Sequence, residues 1–210
     1  MDTHFKHSFF SNLHCYTLVS DAASLGKDPS MAVGVGGIAF LGDVSKSFHF
    51  QHIAWPWKFI KGIDQNSIAF RQKTTLLEAL GIASLVLHLA STLQNQAFRV
   101  KVDNMATVYA FEKGRSKTDP YASTIVAALN FFLIQINAKM EVIHLPRISD
   151  PSAIWADHLS RFDDKGEDKY NKIKHCCSTS WPTPLLQWLN NPQLDLLLGE
   201  QLWSHSGLSV

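Results

Sequence analysis

Near Ser67 the spacing of the apolar residues changes, and few folds accommodate that change. From there Ile68, Leu76, Leu77, Leu80, Ile82, Ala83, Val86, Leu87 and Ala90 recur at helical spacing. This predicts one long helix over about residues 67–94, capped by Asn66 or Ser67. The segments before it read as strands. Tyr16–Ser20 is β-branched and aromatic and ends at Asp21-Ala-Ala-Ser-Leu-Gly26, read as a turn. Met31–Leu41 is apolar but broken by Gly34, Gly36 and Gly37, which implies a bulge or a close approach of another backbone. Lys46–Trp55 alternates through Phe48, Phe50 and Ile53. Three consecutive antiparallel strands are expected. After the helix, Phe98–Val102 reads as a strand leading to Asp103, and Met105–Lys113 as a helix stopped by Gly114. Tyr121–Ala138 is apolar and free of breakers, a buried helix. Met140–Leu145 is a strand closed by Pro146, and Ser152–Arg161 is a helix opened by Asp150-Pro151. The order βββ-α-β-α-α-β-α describes an α/β domain on a mixed five-stranded sheet.

With 210 residues, 46% of them hydrophobic, the chain can bury a real core. The expected division is a lead-in over 1–15, the α/β domain over 16–162, and an extension over 163–210 that starts with the charged run Asp163–Lys169 and continues into a Leu- and Trp-rich tail. A formal charge of +1 supplies no global basic field, so any polyanion site must be local. Cys15, Cys176 and Cys177 are odd in number and two are adjacent, which points to a reducing, intracellular setting, cytoplasmic or nuclear. No run approaches the ~18 apolar residues of a membrane span, and Met1–Phe10 lacks the pattern of a signal peptide, so no membrane partner is expected.

Four carboxylates fall where chemistry would need them. Asp21 and Asp103 follow the first and fourth strands; if those strands are adjacent and parallel, the two emerge side by side at the carboxyl edge of the sheet. Glu78 lies in the apolar stripe of the long helix, where a carboxylate is costly without a cation. Asp157 sits in the last helix. Clustered acids without His or Cys pairs suit a hard cation such as Mg²⁺ and disfavour zinc. Two such ions can activate a water and stabilise the leaving oxygen of a phosphoryl displacement. Three of the acids also have a structural explanation: Asp103 as a helix cap, Asp157 as a partner of Arg161, Asp21 as a turn residue. Their conjunction carries the weight.

With that order of acids on that order of elements, the chain resembles type 1 ribonuclease H. Val19-Ser-Asp-Ala-Ala-Ser24, Leu76-Leu-Glu-Ala-Leu80 and Val102-Asp-Asn-Met-Ala-Thr-Val108 are similar to the family's first-strand, helix and fourth-strand motifs. Ile143-His-Leu-Pro146 followed by Ala156-Asp-His-Leu-Ser-Arg161 resembles the ribonuclease H domains that follow reverse transcriptases. Asp103-Asn104 with Val108, and Lys113-Gly-Arg-Ser116, look most like the DIRS group of tyrosine-recombinase retrotransposons. The resemblance runs from about Tyr16 to Arg161. It implies an endonuclease that cuts the RNA strand of an RNA–DNA hybrid, with Asp21, Glu78, Asp103 and Asp157 as catalytic residues holding two Mg²⁺ ions, for which Mn²⁺ can substitute. It further implies a reverse transcriptase domain of the same polyprotein as partner. Substrate contact is expected from Lys113, Arg115 and Lys117 and from Arg71 and Lys73, for which an ordinary solvated cluster is the alternative, and from Asn104, whose amide can both donate to and accept from a 2′-hydroxyl or else cap the following helix. The chain departs from the family at Arg147-Ile-Ser-Asp-Pro151, where a Gly and an Asn are common, and His144 is read as structural. Proofreading exonucleases begin with Asp-x-Glu, and integrases place their Glu last; neither order is present. The alternative of a different class is a catalytically idle domain of this fold that connects or binds nucleic acid.

Overall fold

A computed structural model describes residues 15–24, 33–42, 48–54, 74–146, 150–160 and 176–178. Strands β1 (Tyr16–Ser24), β2 (Val33–Leu41) and β3 (Phe48–Ala54) form the antiparallel meander. Helix α1 (Thr74–His88) and the short α2 (Ala90–Leu93) lead to β4 (Ala97–Val102). Then come α3 (Met105–Lys113), α4 (Pro120–Gln135), β5 (Lys139–His144), α5 (Pro151–Ser160) and β6 (Cys176–Ser178). The sheet order is β5-β4-β1-β2-β3-β6. β4 lies parallel to both β1 and β5, the arrangement that sets Asp21 and Asp103 on one edge. Among the described residues Cys176–Ser178, from the stretch read as a tail, adds a short strand to the five expected and pairs parallel with the outer strand β3.

The two faces of the sheet bury separate cores. Leu18, Val35, Phe98, Val100 and Val102 pack under α1, α3 and α4, with Leu80, Leu85, Val108, Ile125 and Leu129 among the buried contributors. Val19, Ile38 and Leu145 face the other way and meet Ala153, Ala156 and Leu159 of α5. The alternation of Leu18 and Val19 between these clusters is the two-residue period of a strand covered on both sides. α1 is buried along Leu76–Val86, lying on β1 and β2 with α4 against it.

Several boundaries differ from the expectation, each for a local reason. β1 does not turn at Asp21 but continues to Ser24, held by pairing that runs from Tyr16↔Leu41 to Ser24↔Val33. Its register is unbroken, so the glycines of β2 make no bulge there; they permit close approach instead. A Cβ at Gly36 would stand 2.2 Å from the Ala156 carbonyl oxygen of α5, and one at Gly37 would stand 2.2 Å from Leu85 Cδ2 of α1. The long helix is interrupted at Leu89, and its expected start over 67–73, with the Asn66 or Ser67 cap, lies outside the described residues. α4 stops at Gln135 because Asn137 takes a left-handed conformation (φ 51°), which Asn tolerates better than most residues. Among the described residues no helix is long and apolar enough to cross a membrane.

Candidate metal centre

Asp21 follows directly on the parallel β1–β4 pairing, which runs through Val19↔Lys101, and Asp103 follows the last residue of β4. Extending that register sets the two acids side by side. Glu78 arrives from α1, in the first half of the helix. Carboxylate oxygens of Asp21, Glu78 and Asp103 all lie within 4.8 Å of one another. Asp21 and Glu78 are buried, 5% and 4% exposed, and Asp103 is half-buried. At such separations two ionised carboxylates repel by roughly 3–4 kcal/mol at an effective dielectric near 20, so the cluster favours a cation.

The donor set fits a hard divalent ion. Ligand oxygens about 2.0–2.1 Å from Mg²⁺ can be at most about 4.2 Å apart, so carboxylates within 4.8 Å need only a few tenths of an ångström of adjustment. All three donors are carboxylates, the chemistry Mg²⁺ and Mn²⁺ prefer.

No family model and no curated protein matches the sequence. Solved structures do match. Ribonuclease H1 from the halophilic archaeon Halobacterium salinarum superposes with a TM-score of 0.51 at 13% identity, covering 69% of this chain and 93% of that one. LC11 ribonuclease H1, isolated from compost by a metagenomic approach, gives 0.51 at 12% identity over 76% and 99%. The same enzyme in complex with an RNA/DNA hybrid gives 0.50 at 10% over 69% and 92%. The chain has the ribonuclease H fold.

On this fold the other expected site residues fall as follows. Asp157 is half-buried on α5 and is not among the acids whose oxygens lie within 4.8 Å of one another. Asn104 caps α3: its side-chain oxygen accepts from the Thr107 N–H at 3.1 Å, so an outward contact falls to its amide nitrogen. Lys113, Arg115 and Lys117 line one hollow of about 640 Å³ with Thr75 and Tyr109, the latter 56% exposed. Arg71 and Lys73 lie outside the described residues. His144 Nε2 lies 3.2 Å from the Asp103 carbonyl, a contact that steadies the backbone beside the cluster, in keeping with a structural role.

Two residues without an assigned role in the sequence motifs border the cluster. The Ser160 hydroxyl donates to Asp21 Oδ2, and lies 2.9 Å from the Asp157 carbonyl. Lys101 lines the small concavity between Asp21 and Asp103, with its Nζ 3.3 Å from Asp150 Oδ2. Asp150 in turn accepts the Ser152 N–H at 2.9 Å and the Ser152 hydroxyl at 2.6 Å at the start of α5. Burial pushes the Asp150 carboxyl up, but the Ser152 hydroxyl, the Ser152 N–H and Lys101 together outweigh it and hold it below the usual aspartate range. Both residues had a sequence signal: Ser160 is one helical turn after Asp157, and Lys101 shares a strand face with Asp103.

Proposed function

We propose that the chain is a divalent-metal-dependent nuclease that cuts the RNA strand of an RNA–DNA hybrid internally, as part of retroelement reverse transcription. The observation that carries this reading is the convergence of Asp21, Glu78 and Asp103 within 4.8 Å at the carboxyl end of the β1–β4 pair on a ribonuclease H fold. These three residues would hold Mg²⁺ or Mn²⁺, with Asp157 as the fourth acid of a two-ion site. Bound there, the metal supplies Lewis-acid polarisation of the phosphate and a water acidified for attack. The residues themselves orient the phosphate. Lys113, Arg115 and Lys117 neutralise backbone charge, Tyr109 offers a ring beside them, and the Asn104 amide nitrogen donates toward the minor groove, where 2′-hydroxyls mark RNA. The words Ile143-His-Leu-Pro146 and Ala156-Asp-His-Leu-Ser-Arg161, similar to ribonuclease H domains that follow reverse transcriptases, suggest a reverse transcriptase domain of the same polyprotein as partner.

One observation favours the rival reading of an idle, nucleic-acid-binding domain: Asp157 is not among the acids whose oxygens lie within 4.8 Å of one another. A single assay separates the two. Purified protein with Mg²⁺ or Mn²⁺ is given an RNA–DNA hybrid and the matching DNA duplex. Internal cuts in the RNA strand alone are expected; binding without cutting in either metal selects the idle domain.

A further inference from the structure

We infer that Ser160 is a positioning residue for the metal ligand Asp21, an inference that rests on the proposed metal site. Ser160 is fully buried at the end of α5, on the opposite face of the sheet from α1. Its hydroxyl donates to Asp21 Oδ2. A hydroxyl bond to an ionised carboxylate is charge-assisted and about twice as strong as a neutral one. The terminal torsion of an aspartate is otherwise broad, so this bond fixes the orientation of both oxygens before any cation arrives. The hydroxyl has one proton and two acceptors in reach, Asp21 Oδ2 and the Asp157 carbonyl at 2.9 Å. The charged acceptor is the stronger claimant.

The backbone is shaped for this contact. Asp21 pairs with Gly36 across β1 and β2, and a Cβ at Gly36 would stand 2.4 Å from the Ser160 nitrogen. Only a residue without a side chain lets α5 settle close enough for as short a side chain as serine to reach Asp21. The same helical turn carries Asp157, so the contact also fixes where the fourth acid stands relative to the cluster.

The test measures Mn²⁺ binding by electron paramagnetic resonance of the free ion, with hybrid cleavage in parallel. Ser160→Ala removes the donor. Ser160→Cys nearly keeps the volume and leaves only a weak donor, so it carries the test if the alanine variant folds poorly. Both should weaken Mn²⁺ binding by about tenfold, the lower end for partners that orient metal ligands. Ser152→Ala, which loses a buried hydroxyl at the other end of α5, is the control for helix stability and should bind Mn²⁺ as the wild type does. Wild-type affinity in Ser160→Cys, or an equal loss in Ser152→Ala, overturns the inference. If the wild type takes up no Mn²⁺, the metal-site reading itself falls and the inference with it. If it binds Mn²⁺ but never cuts the hybrid, only the nuclease reading falls, and the effect on Mn²⁺ affinity still decides the role of Ser160.

Discussion

Gly36→Ala should damage the proposed metal site and the fold together, whereas Gly37→Ala should damage only the fold. A methyl at Gly36 meets the Ala156 carbonyl oxygen at 2.2 Å, the Ser160 nitrogen at 2.4 Å and Leu159 Cβ at 2.7 Å. Two of these are backbone atoms of one helix, so no rotamer change clears them. α5 would have to retreat by about 1 Å to restore ordinary contact. Overpacking of this kind costs about 1–3 kcal/mol. The retreat also draws Ser160 from Asp21, and a hydrogen bond to a charged group is worth roughly 1.5–3 kcal/mol. A destabilisation of about 3 kcal/mol or more is expected, with weakened Mn²⁺ binding. At Gly37 the obstacle is the Leu85 side chain, which can change rotamer at a cost of about 1–3 kcal/mol without moving α5. Urea titrations of both variants, each with Mn²⁺ affinity measured under native conditions, make the comparison. Stability of Gly36→Ala within about 0.5 kcal/mol of wild type, or equal weakening of metal binding in the two variants, would refute the account of α5 seated on β2.

Asp103→Asn removes one of three mutually repelling charges while keeping the shape, so cleavage should be abolished while apo stability stays equal or rises; thermal melts beside the hybrid assay check this, and a core-type drop in stability would give Asp103 a structural role instead. Ca²⁺ should raise the wild-type melting temperature yet inhibit cleavage, since it tolerates irregular coordination without supporting in-line geometry. Because the Asp150 carboxyl is held below the usual aspartate range, its contribution is fully present above that range and disappears as pH falls through the lowered folded-state value. Asp150→Asn keeps a capping oxygen and removes the charge facing Lys101, so it should cost up to about 1 kcal/mol at neutral pH and nothing in strong acid; a pH-independent difference would show that charge is not involved. Replacing Lys113, Arg115 and Lys117 by alanine should weaken hybrid binding and lower the slope of log affinity against log salt by roughly 0.9 for each phosphate no longer neutralised; an unchanged slope removes these residues from the interface.

Much of the fold was legible because its punctuation is local. Gly114 ends α3 in a left-handed conformation (φ 71°), Asn104 caps the same helix, and Asp150-Pro151 opens α5, all signals carried by one or two residues. Glu78 was legible as a carboxylate in an apolar stripe. The extension of β1 past Asp21 was not, because Ala22, Ala23 and Ser24 have little strand preference of their own and are held by β2. β6 was hidden for the same reason: three residues form a strand only where the edge of β3 offers a partner. Ser160 was half-visible. Its spacing from Asp157 gives the helix face, but only the packing of α5 on β2 shows that the face meets Asp21.

The carboxylate cluster draws on both faces of the sheet, and Asp21 is the point where they meet. Glu78 comes from α1 on one side and Ser160 from α5 on the other. At both approaches a glycine removes the intervening bulk. Gly36, paired with Asp21, lets α5 descend, and Gly81 of α1 would place a Cβ 2.5 Å from Ser20 Oγ and 3.8 Å from the Asp21 carbonyl. Aspartate and serine have short side chains, so the Ser160 contact to Asp21 exists only where the backbones of α5 and β2 come this close. The sheet–helix distance on each face is therefore a parameter of the proposed metal site. A side chain added at Gly36 or Gly81 should act on cation affinity, although neither residue offers a ligand.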